Sequence, residues 1–456
     1  MSLTTGPILP TLLRLAAPNV LAMTMTVAVG VAETRYVGLL GTGPLAAMAI
    51  VFPLAMLVQM MSAGAMGGGV SSAIARALGA GDAERARLLA MHAVVIGLVA
   101  GLATTVVFLV AGPALYRLLG GRGEVLDEAV RYGAVLFAGA ALVWMLNTLA
   151  SVLRGTGDMR VPSIALLAVA ALQIVVGGVF GLGLGPAPRL GMPGVALGQL
   201  VATGAGVAAL AWWLASGRAR LRLSWRGLRL RAEPFADILR VGALACLSPV
   251  QSVLTVLIFT GLVARLGTAP LAGYGIGQRL EFLLIPIAFG IGVASVPMVG
   301  MAMGAGDVAR ARRVAWTAGA VSAFNLGLIG AVVALWPGLW SELFTDDPEV
   351  LAHAASYLRW AGPAFAAFGL GLTLYFASQG SGRVLGPVLA GTARLAIVAG
   401  AGAWLAAHDA PAWRFFALVA VGMLVYGAAT ALSIRATRWG PRPAAPVAPA
   451  PVAVGR

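Results

Sequence analysis

Charge is what this sequence has least of. Only 10% of its 456 residues are charged, against roughly a quarter in soluble domains. That is too few to coat a water-soluble globule, so lipid must cover much of the chain. Lysine is absent altogether, and the net charge of +15 is carried by 31 arginines against 16 acids. The single cysteine, Cys246, excludes a disulfide or a cysteine-based metal site within the chain, and its apolar surroundings mark it as a buried, bland thiol. The three histidines, His92, His353 and His408, are far apart and have no metal-ligand spacing. No paired carboxylates are poised for acid–base chemistry, so the pattern is not that of an enzyme. The Gly-Ala-Gly-Asp turns at 79–82 and 304–307 lack the Lys and Ser/Thr of a phosphate loop. Neither a metal nor an organic cofactor is expected.

What is present is apolar and regular. Hydrophobic residues make up 60% of the chain, and 61 glycines supply the small contact residues that packed membrane helices use. A crossing needs about 20 mostly apolar residues. By that measure twelve spans are predicted, near 12–37, 45–75, 90–116, 128–152, 162–182, 194–215, 237–264, 271–303, 314–336, 351–378, 387–406 and 413–435. No cleavable signal is evident, because the first apolar stretch is long enough to span. If both termini face the cytoplasm, 21 of the 31 arginines fall in inside segments and nine outside. This excess selects that orientation in a bacterial-type inner membrane. The same placement between spans turns the basic balance away from nucleic acid and toward topology. A basic connector at 216–236, with Arg218, Arg220, Arg222, Arg226, Arg229 and Arg231, reads as anchored to anionic headgroups, a specific lipid site being the alternative. The expected organisation is a first lobe at 1–215, this connector, a second lobe at 237–439 and a disordered Pro/Ala/Val-rich tail at 440–456.

The two lobes are copies. Residues 77–90 match 302–315 at nine of fourteen positions, and 40–46 match 266–272 at six of seven, at offsets of 225 and 226. Glu124-Val-Leu with Tyr132 matches Glu349-Val-Leu with Tyr357, and Gly155-Thr-Gly157 with Pro162 matches Gly380-Ser-Gly382 with Pro387. Six spans per copy is an even number, so both enter from the same side and the repeat is parallel. The fold class predicted is therefore an all-α polytopic membrane protein of two parallel six-helix bundles.

Ordered motifs across both halves carry a family resemblance. Pro18-Asn19, Glu33-Thr-Arg-Tyr-Val-Gly38 and Leu40-Gly41-Thr42 open the chain as multidrug and toxic compound extrusion (MATE) transporters open. Leu78-Gly-Ala-Gly-Asp82, Arg154-Gly-Thr-Gly-Asp158, Gly277-Gln-Arg-Leu-Glu281 and Val299-Gly-Met-Ala-Met-Gly-Ala-Gly-Asp307 fit the same pattern. Gly380-Ser-Gly-Arg383 with Pro387 and Arg394 is most similar to the DinF-like branch. The resemblance runs from about residue 10 to 435. It implies two lobes set in a V and export of cationic or amphipathic drug-like molecules in exchange for protons or sodium; a monomer is the expected state.

Of the sixteen acids only Glu33 and Glu281 fall well inside spans. An ionisable group in hydrocarbon costs several kcal/mol and as a rule faces a cavity or a partner. Burial favours the neutral carboxyl, which is what proton exchange needs. Asn19, Thr26 and Glu33 recur every seven residues along one face of the first helix. Glu33 stands where the resembling branch has Asp. Two readings stand for it: ion coupling, or a structural role as a local pair with Arg35 or a cap near the outer helix end. In the fifth span the family pattern implies an Asn and an Asp one turn apart, where this chain has Gln173 and Gly177. In the sixth it implies a Thr where Gln199 stands. The expected coupling network is Glu33, Gln173, Gln199 and Asn19, with one carboxylate, which favours protons over sodium. In the second lobe Tyr274, Gln278 and Glu281 share a face. They are the expected substrate site, together with Arg394 of the eleventh span. Arg279 is a candidate to neutralise Glu281, and Arg394 is expected to bond backbone carbonyls or a carboxylate. The methionines of the second span, Met48, Met56, Met60, Met61 and Met66, suit either an adaptable cavity wall or ordinary packing.

A flippase for a lipid-linked saccharide is the alternative function. It favours a cationic central cavity, and this chain puts most Arg outside its spans. An integral-membrane enzyme is the remote one, and it lacks clustered catalytic groups.

Overall fold

Apolar runs of this length, cut by Gly-Pro and Gly-Asp punctuation, have one way to satisfy their backbone in lipid, which is the helix. The computed structural model describes residues 3–223 and 229–440, so Arg226 and residues 441–456 of the expected tail lie outside the described residues. Its long helices are α1 (Ile8–Leu40), α2 (Thr42–Gly79), α3 (Ala83–Leu118), α4 (Gly123–Gly155), α5 (Arg160–Leu182), α6 (Met192–Ala215), α7 (Ala232–Ala264), α8 (Thr268–Gly304), α9 (Val308–Leu335), α10 (Pro348–Ser381), α11 (Leu385–Ala407) and α12 (Ala412–Ala436). Eleven are long and apolar enough to cross a membrane by themselves. The fourth is two helices bent by 41° at Gly139, which together make the twelfth crossing. The second helix carries one irregularity, a π-helical stretch at Met61–Met66.

The repeat reaches down to single dihedrals. Gly41 and Gly267, which open α2 and α8, have φ of 132° and 118°, a region closed to most side chains. At the next turn Gly81 and Gly306 both have φ 79°. Asp82 and Asp307 then cap α3 and α9, each accepting the backbone N–H of the Arg three residues on at 2.8 Å.

Three apolar clusters fill the molecule. One lies within the first half, around Leu89, Phe137 and Leu153, and one within the second, around Phe259, Phe365 and Phe416. The third joins them, with Leu12 and Ala63 of one half packed with Met298, Val299 and Phe376 of the other. The halves meet most tightly where α2 and α8 end. There Gly79 lies against the backbone of Met301 and its repeat counterpart Gly304 against that of Arg76, so only glycine fits either place. Outside this zone the helices turn apolar faces outward; Val110, Leu118 and Phe324 are more than two-thirds exposed, as lipid-facing residues are.

Candidate functional site

Glu33 sits on the inner face of α1, 8% exposed. Its one hydrogen bond comes from α5, where Gln173 Nε2 donates to Glu33 Oε1 at 2.7 Å. The pairing with Arg35 does not form: Arg35 is two residues on, on the other side of the helix, and is exposed. Glu33 is thus a buried carboxyl beside a neutral amide. Tyr132 of α4 lies within its electrostatic reach.

The rest of the expected network is not assembled around it. Asn19 is fully buried but lies 14 residues away, about 21 Å along the helix. Its Nδ2 donates to the Gly290 carbonyl of α8 at 3.4 Å, so it joins the halves. Thr26 is exposed and donates to its own helix at Ala22 O, 3.3 Å away. Gln199 makes no hydrogen bond to Glu33 or Gln173. The cause lies next to it, because Gly198 presses on the backbone of Gly177 where α5 and α6 cross. One residue further turns by 100° from that contact. The constraint is on Gly198 alone, because a Cβ on Gly177 would meet only Val195, at 3.5 Å or more.

In the second half, Tyr357 of α10 donates its hydroxyl hydrogen to Glu281 Oε1. Tyr274 packs edge-on to Tyr357 at 5.4 Å and to Phe259 at 5.0 Å. Glu281 is therefore held in an aromatic corner. Gln278 is half-buried and makes no hydrogen bond. Arg279 does not neutralise Glu281: it too is offset by two residues, is exposed, and stacks over Phe344 at 5.2 Å. Arg394 does not bond carbonyls or a carboxylate. Its guanidinium lies over Phe368 at 5.4 Å and Tyr426 at 5.9 Å, and its buried Nε has no acceptor. In an apolar bundle the ring faces are the negative surface available to it. Glu281 remains within its electrostatic reach.

Sequence reasoning passed over several residues. Tyr357 and Tyr132 served only as repeat markers, although a tyrosine kept in both copies inside a span is itself a signal. A polar cluster at the π turn was also missed: Asn147 of α4 donates to Ser62 Oγ at 2.9 Å and Gln59 Oε1 at 3.3 Å. Arg154, one of the arginines counted in the inside segments, is 1% exposed. His92 is fully buried; it accepts the Arg231 N–H through Nε2 at 3.0 Å, tying α3 to the start of α7. Near it Arg76 pairs with Asp237 at 2.7 Å and Arg85 with Glu233 at 2.6 Å, joining the two halves by ion pairs. Among the described connector arginines, Arg218 stacks over Trp212 at 4.5 Å and Arg220 bonds Thr156 O at 3.4 Å, folding the segment back on the first half. No group of three or more His, Cys, Asp or Glu that could hold a metal occurs among the described residues.

Comparison with known proteins matches this architecture. The family model described as MatE matches residues 18–179 and 245–405, one block in each half. A protein of Shewanella oneidensis named FAD transporter is 24% identical over 82% of this chain and 82% of its own length. A probable multidrug resistance protein NorM of Thermotoga maritima is 24% identical over 83% of this chain and 81% of its own. Among solved structures, a MOP superfamily transporter from Pyrococcus furiosus superposes with a TM-score of 0.88 at 25% identity, covering 95% of this chain and 96% of that one. An outward-facing multidrug resistance transporter of the same superfamily gives 0.84 at 26%, covering 94% and 95%.

Proposed function

From the premise that this chain belongs to the MATE family of efflux transporters, we propose that it is a proton-coupled antiporter that exports cationic or amphipathic small molecules. The observation that carries this reading is the environment of Glu33. A carboxyl buried beside one neutral amide, with no cation paired to it, changes the local charge by a full unit when it takes or gives up a proton. A sodium ion is served better by several oxygen ligands, and here one carboxylate and one amide are at hand. In the orientation selected by the arginines, both termini are cytoplasmic and the tight α2–α8 contact closes the cytoplasmic side. Proton and substrate would then exchange across the two lobes as that contact opens and re-forms. Glu281, with the aromatic corner around it, supplies the negative group for a cation, and Gln278 and Arg394 border it.

The test is counterflow in proteoliposomes, with proton and sodium gradients imposed separately and a lipophilic cationic dye as substrate. Dye movement driven by the pH gradient alone is expected. Movement driven by sodium alone at clamped pH would overturn the proton assignment.

A second reading has its own observation. Arg394 has a buried N–H without an acceptor, which suits a substrate with a phosphate or carboxylate group, and one relative is named an FAD transporter. Competition of a flavin nucleotide against the dye decides between them. Competition lost in R394Q supports the anionic reading, and its absence in the wild type removes it.

A further inference from the structure

Arg154 has no use in the coupling scheme, yet its position is costly. It ends α4 and is among the largest fully buried side chains. None of its three guanidinium nitrogens bonds an acceptor in the protein. Taking a charge out of water costs several kcal/mol unless an opposite charge or a full set of hydrogen bonds compensates. The acids on neighbouring elements are engaged elsewhere: Asp237 holds Arg76 and Arg85, and Asp158 caps the first turn of α5. The carbonyl end of α4 offers Arg154 a partial negative charge, but no hydrogen bond.

The guanidinium faces a small cavity between the lobes. Ser71 and Ser151 line it too, and both hydroxyls are buried without a partner. Gly67 and Gly68 line it on the α2 side, the Gln379 amide taking the place a Gly68 Cβ would need, and Val293 and Val296 of α8 close it from the second lobe. Every unpartnered polar group on the wall is a donor or can be one. The cavity measures about 10 Å³, near the least that holds one water, so a halide, somewhat larger than water, seats only as the flanking serine hydroxyls turn and give way. A carboxylate, phosphate or sulfate is too large. A site with a full positive charge, hydroxyl donors and room for a single atom selects a monatomic anion.

We propose that Arg154, Ser71 and Ser151 bind one halide ion, chloride under ordinary conditions, at the lobe interface. The ion supplies the charge that the protein does not. Because α8 forms one wall, the site is complete only while the lobes are closed at this end. The ion therefore favours the closed state by its differential affinity. The site exists once: at the repeat offset of 225, Arg154 corresponds to Gln379, a neutral amide set against Gly68.

The experiment uses the purified full-length chain. Thermal melts in sodium chloride, bromide and gluconate at equal ionic strength should show a saturable rise of the melting midpoint with either halide and none with gluconate. Crystals grown in bromide should give an anomalous peak beside Arg154. R154Q should abolish the halide response. Should R154Q fail to fold, S71A/S151A keeps the charge and should weaken the apparent halide affinity by about tenfold, the loss of one or two charge-assisted hydrogen bonds. Equal melting in chloride and gluconate, with no anomalous peak, would mean that a water fills the cavity and would end the proposal. A full halide response in either variant would do the same.

Discussion

The two lobes share one backbone plan and differ in how each treats its buried acid. In the first, Glu33 receives a hydrogen bond from an amide, and no cation is paired to it. In the second, Glu281 receives one from a phenol, among aromatic rings, with Arg394 in electrostatic reach. Neither acid has a counterpart in the other copy, since Glu33 falls on Phe259 at the offset of 226 and Glu281 on Met56 at 225. Duplication thus fixed the scaffold, and the polar groups were placed on it separately. Each carboxyl accepts from one neutral donor, and the two differ in that a guanidinium lies in reach of Glu281 while no cation is paired to Glu33. The difference supports a division of labour, with protons in lobe one and substrate in lobe two.

The largest test of that division is E33Q. The amide keeps the size and cannot carry a proton, so dye exchange driven by a pH gradient should fall to the level of empty liposomes while dye binding persists. Exchange at the wild-type rate would remove Glu33 from coupling and collapse the distinction between the lobes. E281Q comes next. It should weaken binding of the cationic dye by about tenfold, about 1.4 kcal/mol or the lower range for a charged group at a binding site. The ratio of protons to dye should stay unchanged. A loss of coupling there would place the proton in the second lobe instead. Between the lobes, G198A tests the packing that excludes a second polar group near Glu33. A methyl forced against Gly177 should cost about 1–3 kcal/mol, as overpacking does, read as a lower melting midpoint with coupling retained.

Much of the fold was legible because it is written in periodicity and punctuation. Twelve apolar runs predict the crossings, with ends within seven residues of those observed, and the Gly-Asp turns fix the repeat down to φ. What could not be read depends on neighbours that are distant in sequence. The heptad of Asn19 and Glu33 gives a shared face, but which partner covers each end is decided by α8 and α5. Gln199 looks available until the Gly198–Gly177 contact turns it away. Arg154 lies in an Arg-Gly-Thr-Gly-Asp motif that reads as a polar loop, and only the packing of α8 over it shows that it is buried. Arg394 was expected to find oxygen and found aromatic rings from two other helices. Side-chain pairing in a bundle is a tertiary property, and the two local pairings expected, with Arg35 and Arg279, fail on helix geometry alone.

The smallest effects bear on the pair of tyrosines that the repeat does conserve. Tyr357 and Tyr132 stand at equivalent positions, one bonded to Glu281 and the other only within electrostatic reach of Glu33. Y357F removes a donor from a buried carboxylate, and hydrogen bonds to charged groups contribute about 1.5–3 kcal/mol. Dye affinity and the melting midpoint should both fall. Y132F removes no hydrogen bond to an acid and keeps the buried ring, so its effect should be smaller than that of Y357F, about 1 kcal/mol or less. Melting curves and dye titrations on the two variants side by side make the comparison internal, because the same atom is deleted from the same place in each copy. Equal effects would mean that the phenols serve packing alone, and the contrast between the two acids would then rest on Gln173 and Arg394. A larger effect for Y132F would reverse the assignment, making the first lobe the one whose acid depends on its phenol.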